Sequence, residues 1–396
     1  MQLVKKYYKE IFLIVCWVII QIVLYQIHGV KLVNDTKRYL NYAESIKATG
    51  FYIDRHNIWY FSYVFFLYVI TSFGISMKGV VFAQILLSGF SFFLLSTSLV
   101  FYTNNKNTGY WLAFLLIGWM KISEWNFYIM TESLYISLCC LGIAQLIWVQ
   151  KKKLSYLIMF PISIFIFFCR PTGLGFILAM FCFILISYYQ ASRNKQRFKI
   201  ILGIISVLGI FTIYHLLNIM LHTFNMIDVY ERAELVYAYG TLPNPQHPEL
   251  LLVDLPKNLL VPSIDMKPID RLISFVWYNP LFFFKLAVGK MIYFLGNVKP
   301  YFSWQHNVFI MLFLYPVYWI AIKAFRKSTL VFQPFKGFLS VFVLFNVLVV
   351  VLATEDWDGR FLLPVLPIIF LFAAIGLSES KWLKIKEAIY ISFFNN

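Results

Sequence analysis

Apolar stretches alternate with short charged segments along almost the whole chain. Ten of them read as membrane spans: residues 11–25, 80–101, 110–120, 132–149, 154–168, 172–189, 199–221, 308–322, 337–352 and 361–377. A run of about 20 apolar residues in helical form crosses a hydrocarbon core of about 30 Å. Another apolar run, residues 59–73, is short and ends at Gly74-Ile75-Ser76. Two segments interrupt the alternation. Residues 31–78 follow the first span directly, and residues 222–304 form a long polar loop.

The run at 59–73 decides the topology. Suppose that it lies at the interface and the N-terminus is inside. The segments 102–109, 150–153, 190–199 and 323–336 and the basic tail are then cytoplasmic. Those segments and the N-terminus hold 18 of the 34 Lys and Arg residues but only 3 of the 18 acids. If the run crossed, every later basic loop would move outside, against the tendency of Lys and Arg to stay cytoplasmic. The expectation is therefore an all-α polytopic protein of about ten transmembrane helices, with juxtamembrane helices in its outer loops. It forms a single domain over residues 1–396. The loop 31–78, the turns near 121–131, 170–171 and 354–360, and the loop 222–304 all share the outer face.

Composition agrees with a membrane protein, since 61% of residues are hydrophobic and only 13% charged. The net charge of +16 follows from the cytoplasmic Lys and Arg and does not call for nucleic acid. The five cysteines, Cys16, Cys139, Cys140, Cys169 and Cys182, all fall in or beside apolar runs, which gives neither a disulfide framework nor a zinc spacing. Lys5, Lys6 and Lys9 precede the first span without a small-residue cleavage site, so that span reads as uncleaved. Richness in Lys, Ile, Phe and Asn points to a bacterial source with an AT-rich genome. The expected location is the bacterial cytoplasmic membrane.

Ionisable groups on the outer face are the candidates for chemistry. Asp35, a few residues beyond the first span, sits where water meets lipid headgroups; its plain alternative is a solvated loop acid. Glu132 opens a span in Thr131-Glu132-Ser133-Leu134, and a charge there is costly unless paired or functional. Its structural alternative is a helix-start acid favoured by the dipole, with Thr131 as cap. Arg170, in Arg170-Pro171-Thr172-Gly173, tops a tight hairpin. It can fork onto a phosphate or snorkel to the interface. Lys290 lies on a run, 279–290, that reads as an interfacial helix able to seat a headgroup or merely to anchor the chain. Arg360 heads the last span, after the acid pair Asp356 and Asp358. That pair is either a solvated turn or a seat for a divalent metal, Mg²⁺ or Mn²⁺. The six histidines show no ligand spacing.

Four elements together resemble the GT-C superfamily of integral-membrane glycosyltransferases, and most closely its bacterial protein-mannosyltransferase and aminoarabinose-transferase group. They are Asp35 with Tyr39 and Ala43, Thr131-Glu132-Ser133-Leu134, Arg170-Pro171-Thr172-Gly173, and Arg360-Phe361-Leu362-Leu363-Pro364. The resemblance covers residues 1–220 and reaches the last third in outline. It implies a catalytic Asp at 35, an acidic motif at 132 and a polyprenyl-phosphate sugar donor. The aspartate-rich metal pair and the double proline of such proteins have no counterparts at 131–132 and 59–62.

The expected reaction is inverting transfer of a sugar from a polyprenyl phosphate to a glycan, lipid or protein acceptor on the outer face. Asp35 takes the acceptor hydroxyl proton as general base. Arg170, Lys290 and Arg360 stabilise charge on the leaving phosphate. Glu132 orients the acceptor or holds one of those cations, and Tyr39 joins the substrate-binding set. Two other classes stand beside this one. A lipid-linked sugar flippase would place its site near the bilayer midplane, and a glycan polymerase of unrelated fold would use an Arg-rich loop in place of Asp35.

Overall fold

The computed structural model describes residues 2–192, 195–224 and 227–379. The basic tail beyond residue 379, and Arg193 of the basic loop at 190–199, lie outside the described residues. Among the described residues the chain is helical, with isolated bridges and no strand. It divides into two compact units. Among the described residues one comprises 2–177, 314–339 and 363–379, and the other falls within 178–313 and 340–362.

Six described helices are long and apolar enough to cross a membrane: Tyr8–His28, Met77–Thr103, Thr131–Lys152, Gly173–Ala191, Trp304–Lys327 and Gln333–Leu352. The bent pair Pro268–Tyr278 and Pro280–Gly296, turned by 108°, makes a seventh if it acts as one span. The protein is thus an integral-membrane type by composition and helix length. The four other sequence-predicted spans fall on helices that are shorter or incompletely described: Lys106–Gly118, Tyr156–Phe167, Lys195–Leu221 and Leu366–Ser378. Proline explains two of the short ones. Pro161 sits in the first turn of the α-helix Phe160–Phe167, which follows a 3₁₀ turn at Tyr156–Met159, and Pro367 in the first turn of Leu366–Ser378; the missing N–H costs nothing there, and so they fix the starts of those α-helices.

The run at 59–73 forms a 3₁₀ turn, Asn57–Tyr60, and then a 12-residue helix, Phe61–Ser72. At 1.5 Å per residue that helix spans about 18 Å, short of a bilayer core. Gly74, at φ 71°, ends it in a left-handed conformation that a side chain would strain.

In the first unit, Thr131–Lys152 is the inner helix, buried along most of its length. Met77–Thr103 packs against it and against Lys106–Gly118, which in turn meets Leu366–Ser378. Gly142 of the inner helix faces Ile166 and Phe176 of the segments that follow it; a Cβ there would lie 2.6 Å from the tip of the Phe176 ring, which would have to move.

The second unit corrects the picture of 222–304 as a polar loop. It holds a core of its own, in which Tyr230, Leu235, Leu272, Phe275, Phe282 and Leu286 pack together. Asn279-Pro280 splits the apolar residues of 268–296 into two short helices, so neither half reads as a span in the sequence.

Candidate functional site

In the first unit, backbone bonds draw two helix starts together. Lys31 N–H donates to the Phe127 carbonyl at 2.9 Å, and Ile129 N–H donates to the Lys31 carbonyl at 3.0 Å. The Thr36 hydroxyl donates to the Ile129 carbonyl at 2.9 Å and accepts from Val33 N–H at 3.0 Å. Residues 31–36 are thereby stitched to the strip just ahead of Thr131. Asp35 lies in the first turn of the helix Asn34–Thr49, and Glu132 in the first turn of Thr131–Lys152. Both acids take the end of the helix dipole that favours a negative charge.

Glu132 and Arg170 form a buried ion pair. Arg170 Nη1 stands 3.1 Å from Glu132 Oε1, with side chains 8% and 1% exposed. Thr131 is the first helical residue and Met130 the cap position, so Thr131 does not cap the helix as the sequence allowed; its hydroxyl donates to Glu132 Oε2 at 3.3 Å. The Arg170 turn closes with Gly173 N–H donating to the Arg170 carbonyl at 2.8 Å. Gly173 rests directly on the backbone of Ile166 and Phe167, where no Cβ fits, and this close approach fixes the hairpin that carries Arg170. A further bond, Ser62 N–H to the Phe168 carbonyl at 2.9 Å, ties the start of Phe61–Ser72 to the same hairpin.

Asp35 is less enclosed, its side chain 41% exposed, and its partner is Arg38, 3.3 Å away on the next helical turn. Arg38 is the functional candidate that sequence reading missed. Its guanidinium lies 5.1 Å from the ring centroids of both Tyr39 and Tyr60. Its Nη1 donates to His56 Nε2 at 2.9 Å, which sets that nitrogen as the acceptor of a neutral imidazole. Burial, and next the charge of Arg38, lower the His56 pKa below its ordinary value. The signal for Arg38 was present in the sequence, since an Asp and an Arg three apart on a helix are neighbours.

Tyr39 is buried, with its ring 5.4 Å from Tyr60 and 5.5 Å from Tyr63. Burial, then the neighbouring Tyr60, Glu132 and Asp35, push the Tyr39 hydroxyl well above the usual phenol range. Tyr60 is raised by burial too, against the opposing charges of Arg170 and Arg38. Tyr39 and Tyr60 therefore stay protonated hydrogen-bond donors within the field of two carboxylates and two guanidiniums.

Lys290 and Arg360 belong to the second unit. Lys290 is fully buried; its ammonium donates to the Ala353 carbonyl at 2.6 Å and sits 4.4 Å from the centre of the Tyr230 ring. In this conformation it is enclosed, and it does not present its charge to a headgroup. Arg360, 23% exposed, forks onto Asp356 Oδ2 from Nε at 2.8 Å and Nη2 at 2.6 Å.

Two further charges, one in this turn and one on the 297–303 connection, were not singled out from the sequence. Glu355 and Lys299 are both fully buried, with Nζ 3.2 Å from Oε1. No sequence signal joins them, because they lie on different connections of the unit. The Asp356 carboxylate also accepts from Trp357 N–H on Oδ1, so both its oxygens are engaged by the protein itself. In this conformation Asp356 therefore directs both carboxylate oxygens to protein donors. Among the described residues no group of three or more His, Cys, Asp or Glu is arranged to hold a metal ion.

No protein-family model, curated protein or solved structure matches this chain.

Proposed function

We propose that this protein transfers a sugar from a polyprenyl-phosphate donor to a hydroxyl of a glycan, lipid or protein acceptor, with inversion. One observation carries the reading. The first unit sets a half-exposed Asp35–Arg38 pair among Tyr39 and Tyr60, in the electrostatic reach of the buried Glu132–Arg170 pair. A half-exposed carboxylate suits proton transfer from an entering hydroxyl. Guanidiniums and protonated phenols suit charge growing on a phosphate.

The acceptor oxygen forms its bond to the anomeric carbon as the bond from that carbon to the phosphate oxygen breaks. The acceptor proton passes to Asp35, and polyprenyl phosphate leaves with the electron pair. Arg38 meets the anionic group at the partly open edge of the cluster, and Glu132 fixes Arg170 from behind. This reading includes ten crossings, a bacterial cytoplasmic membrane and a site on the outer face.

The test is transfer from a polyprenyl-phosphate sugar by the purified protein in liposomes, with mass spectrometry of lipid-linked sugars and surface glycans in a deletion strain. The deletion strain should accumulate a lipid-linked sugar and lack one glycan substituent. Movement of the lipid-linked sugar across the bilayer without transfer would instead favour a flippase.

A further inference from the structure

The turn that carries Arg360 is fastened at three successive residues. Glu355 bonds through its backbone, where its carbonyl accepts from Tyr237 N–H at 2.9 Å. Its side chain meets Lys299, and both groups are completely buried. Asp356 takes the fork of Arg360. The Trp357 carbonyl accepts from the Tyr301 hydroxyl at 2.7 Å. The next two residues complete the turn, and Gly359 at φ 69° lies against the Asn297 side chain with no room for a Cβ. Of all these fastenings only the Lys299–Glu355 contact joins two charges wholly out of water. It is also incomplete, because Glu355 Oε2 accepts no hydrogen bond from any described residue.

A buried pair of this kind contributes little net stability but costs a great deal to half-break, since the survivor is an unpaired buried charge. The pair therefore acts as a latch with two settings. When both groups are charged, residue 355 is drawn onto the 297–303 connection and the adjoining Asp356 holds the Arg360 fork. When the charge on Glu355 is lost, Lys299 keeps its bond to the Tyr293 carbonyl but has no anion to hold.

We propose that Lys299 and Glu355 are positioning residues that present Arg360 to the anionic headgroup of the lipid-linked substrate, and that protonation of Glu355 releases it. The inference rests on the reading of that substrate given above.

The groups facing Glu355 are Lys299 and Tyr301 from the 297–303 connection, and Asp356 and Asp358 from its own turn, with Arg360 on Asp356. Burial is the largest influence and pushes the Glu355 carboxyl up to about 7, against the opposing pull of Lys299; Asp356 and Asp358 add to the rise. Burial likewise lowers the Lys299 ammonium. The release accordingly follows a fall in pH, which protonates Glu355.

The experiment measures binding of undecaprenyl phosphate to the purified full-length protein in detergent between pH 5.5 and 8.5, alongside sugar transfer. Wild type should bind about tenfold more weakly at pH 5.5 than at pH 8, beyond any change in the phosphate itself. Glu355→Gln should bind weakly at every pH, leaving only the phosphate's own dependence, while Glu355→Asp should restore part of the wild-type profile. Arg360→Ala should match Glu355→Gln. A Glu355→Gln protein with the wild-type pH profile overturns the proposal, as does an Arg360→Ala protein that binds normally. Should Glu355→Gln not fold, the double variant Lys299→Met/Glu355→Met leaves no buried charge alone and carries the same expectation of a flattened profile. Binding with this profile but no sugar transfer would remove the transferase reading and leave the latch standing. Transfer with normal Arg360→Ala binding would do the reverse, and no binding at any pH overturns both.

Discussion

Arg170 Nη1 lies 3.1 Å from Glu132 Oε1 across two segments that the sequence separates by a whole helix and hairpin. Both side chains are out of water, so each charge depends on the other. Removing one partner of such a pair costs about 3–5 kcal/mol, because it leaves an uncompensated charge in a poor solvent.

Glu132→Gln should therefore lower the melting temperature of the purified protein and abolish most transfer. Glu124→Gln is the comparison, since Glu124 meets Lys121 at 3.1 Å on a partly exposed face. It should fall within about 1 kcal/mol of wild type, as such pairs do. Equal losses of activity in the two variants at equal protein level would remove any special role for Glu132.

Asp35→Asn keeps the size of the side chain and removes its ability to take a proton. General-base catalysis contributes roughly 10²–10⁴-fold, so turnover should drop at least a hundredfold while donor binding survives. Asp54→Asn is the control in the same segment. Asp54 Oδ1 accepts from the backbone of His56 at 2.9 Å and of Asn57 at 2.6 Å, and an Asn oxygen can do the same. Turnover of Asp35→Asn within a few-fold of wild type would take the centre out of the proposed mechanism.

His56 gives the first unit a pH dependence of definite sign. Its folded pKa is lowered, by burial first and Arg38 second, so the unfolded chain binds its proton more readily. Stability should then rise with pH through the range between the two values, and the contribution is lost as pH falls below the usual value of about 6.5. Thermal unfolding of wild type and His56→Gln at pH 5 and pH 7.5 checks this. The variant should show the smaller difference between the two; a larger difference in the variant would contradict it.

Topology is open to a direct measurement. A cysteine placed at Lys152, in a chain freed of its own cysteines, should resist a membrane-impermeant reagent in intact cells, whereas one placed at Lys257 should react. Labelling at position 152 would invert the arrangement and move the first unit's cluster to the cytoplasmic side.

What the sequence determined by itself was whatever depends on composition and local order. Long apolar runs dictate helices that cannot rest in water, and the six described helices that can cross a membrane are read directly from the chain. The shortness of 59–73 was likewise legible, because Gly74 and the polar flanks bound it. Asp35 and Glu132 stood out because acids are rare beside apolar runs, and Arg170 because Pro171 and Gly173 mark a turn. Tertiary structure alone decided the partners. The sequence left open whether Glu132 faced a substrate or a cation, and packing of the two hairpins set it against Arg170. Lys290 looked like a headgroup contact on a surface helix, yet the core around Tyr230 and Leu286 encloses it. Glu355 and Lys299 carried no signal at all, since a charge pair is defined by where two connections of the chain are packed and not by spacing along it. Local order is written in neighbouring residues; which charges lose their water together is settled only when the helices pack.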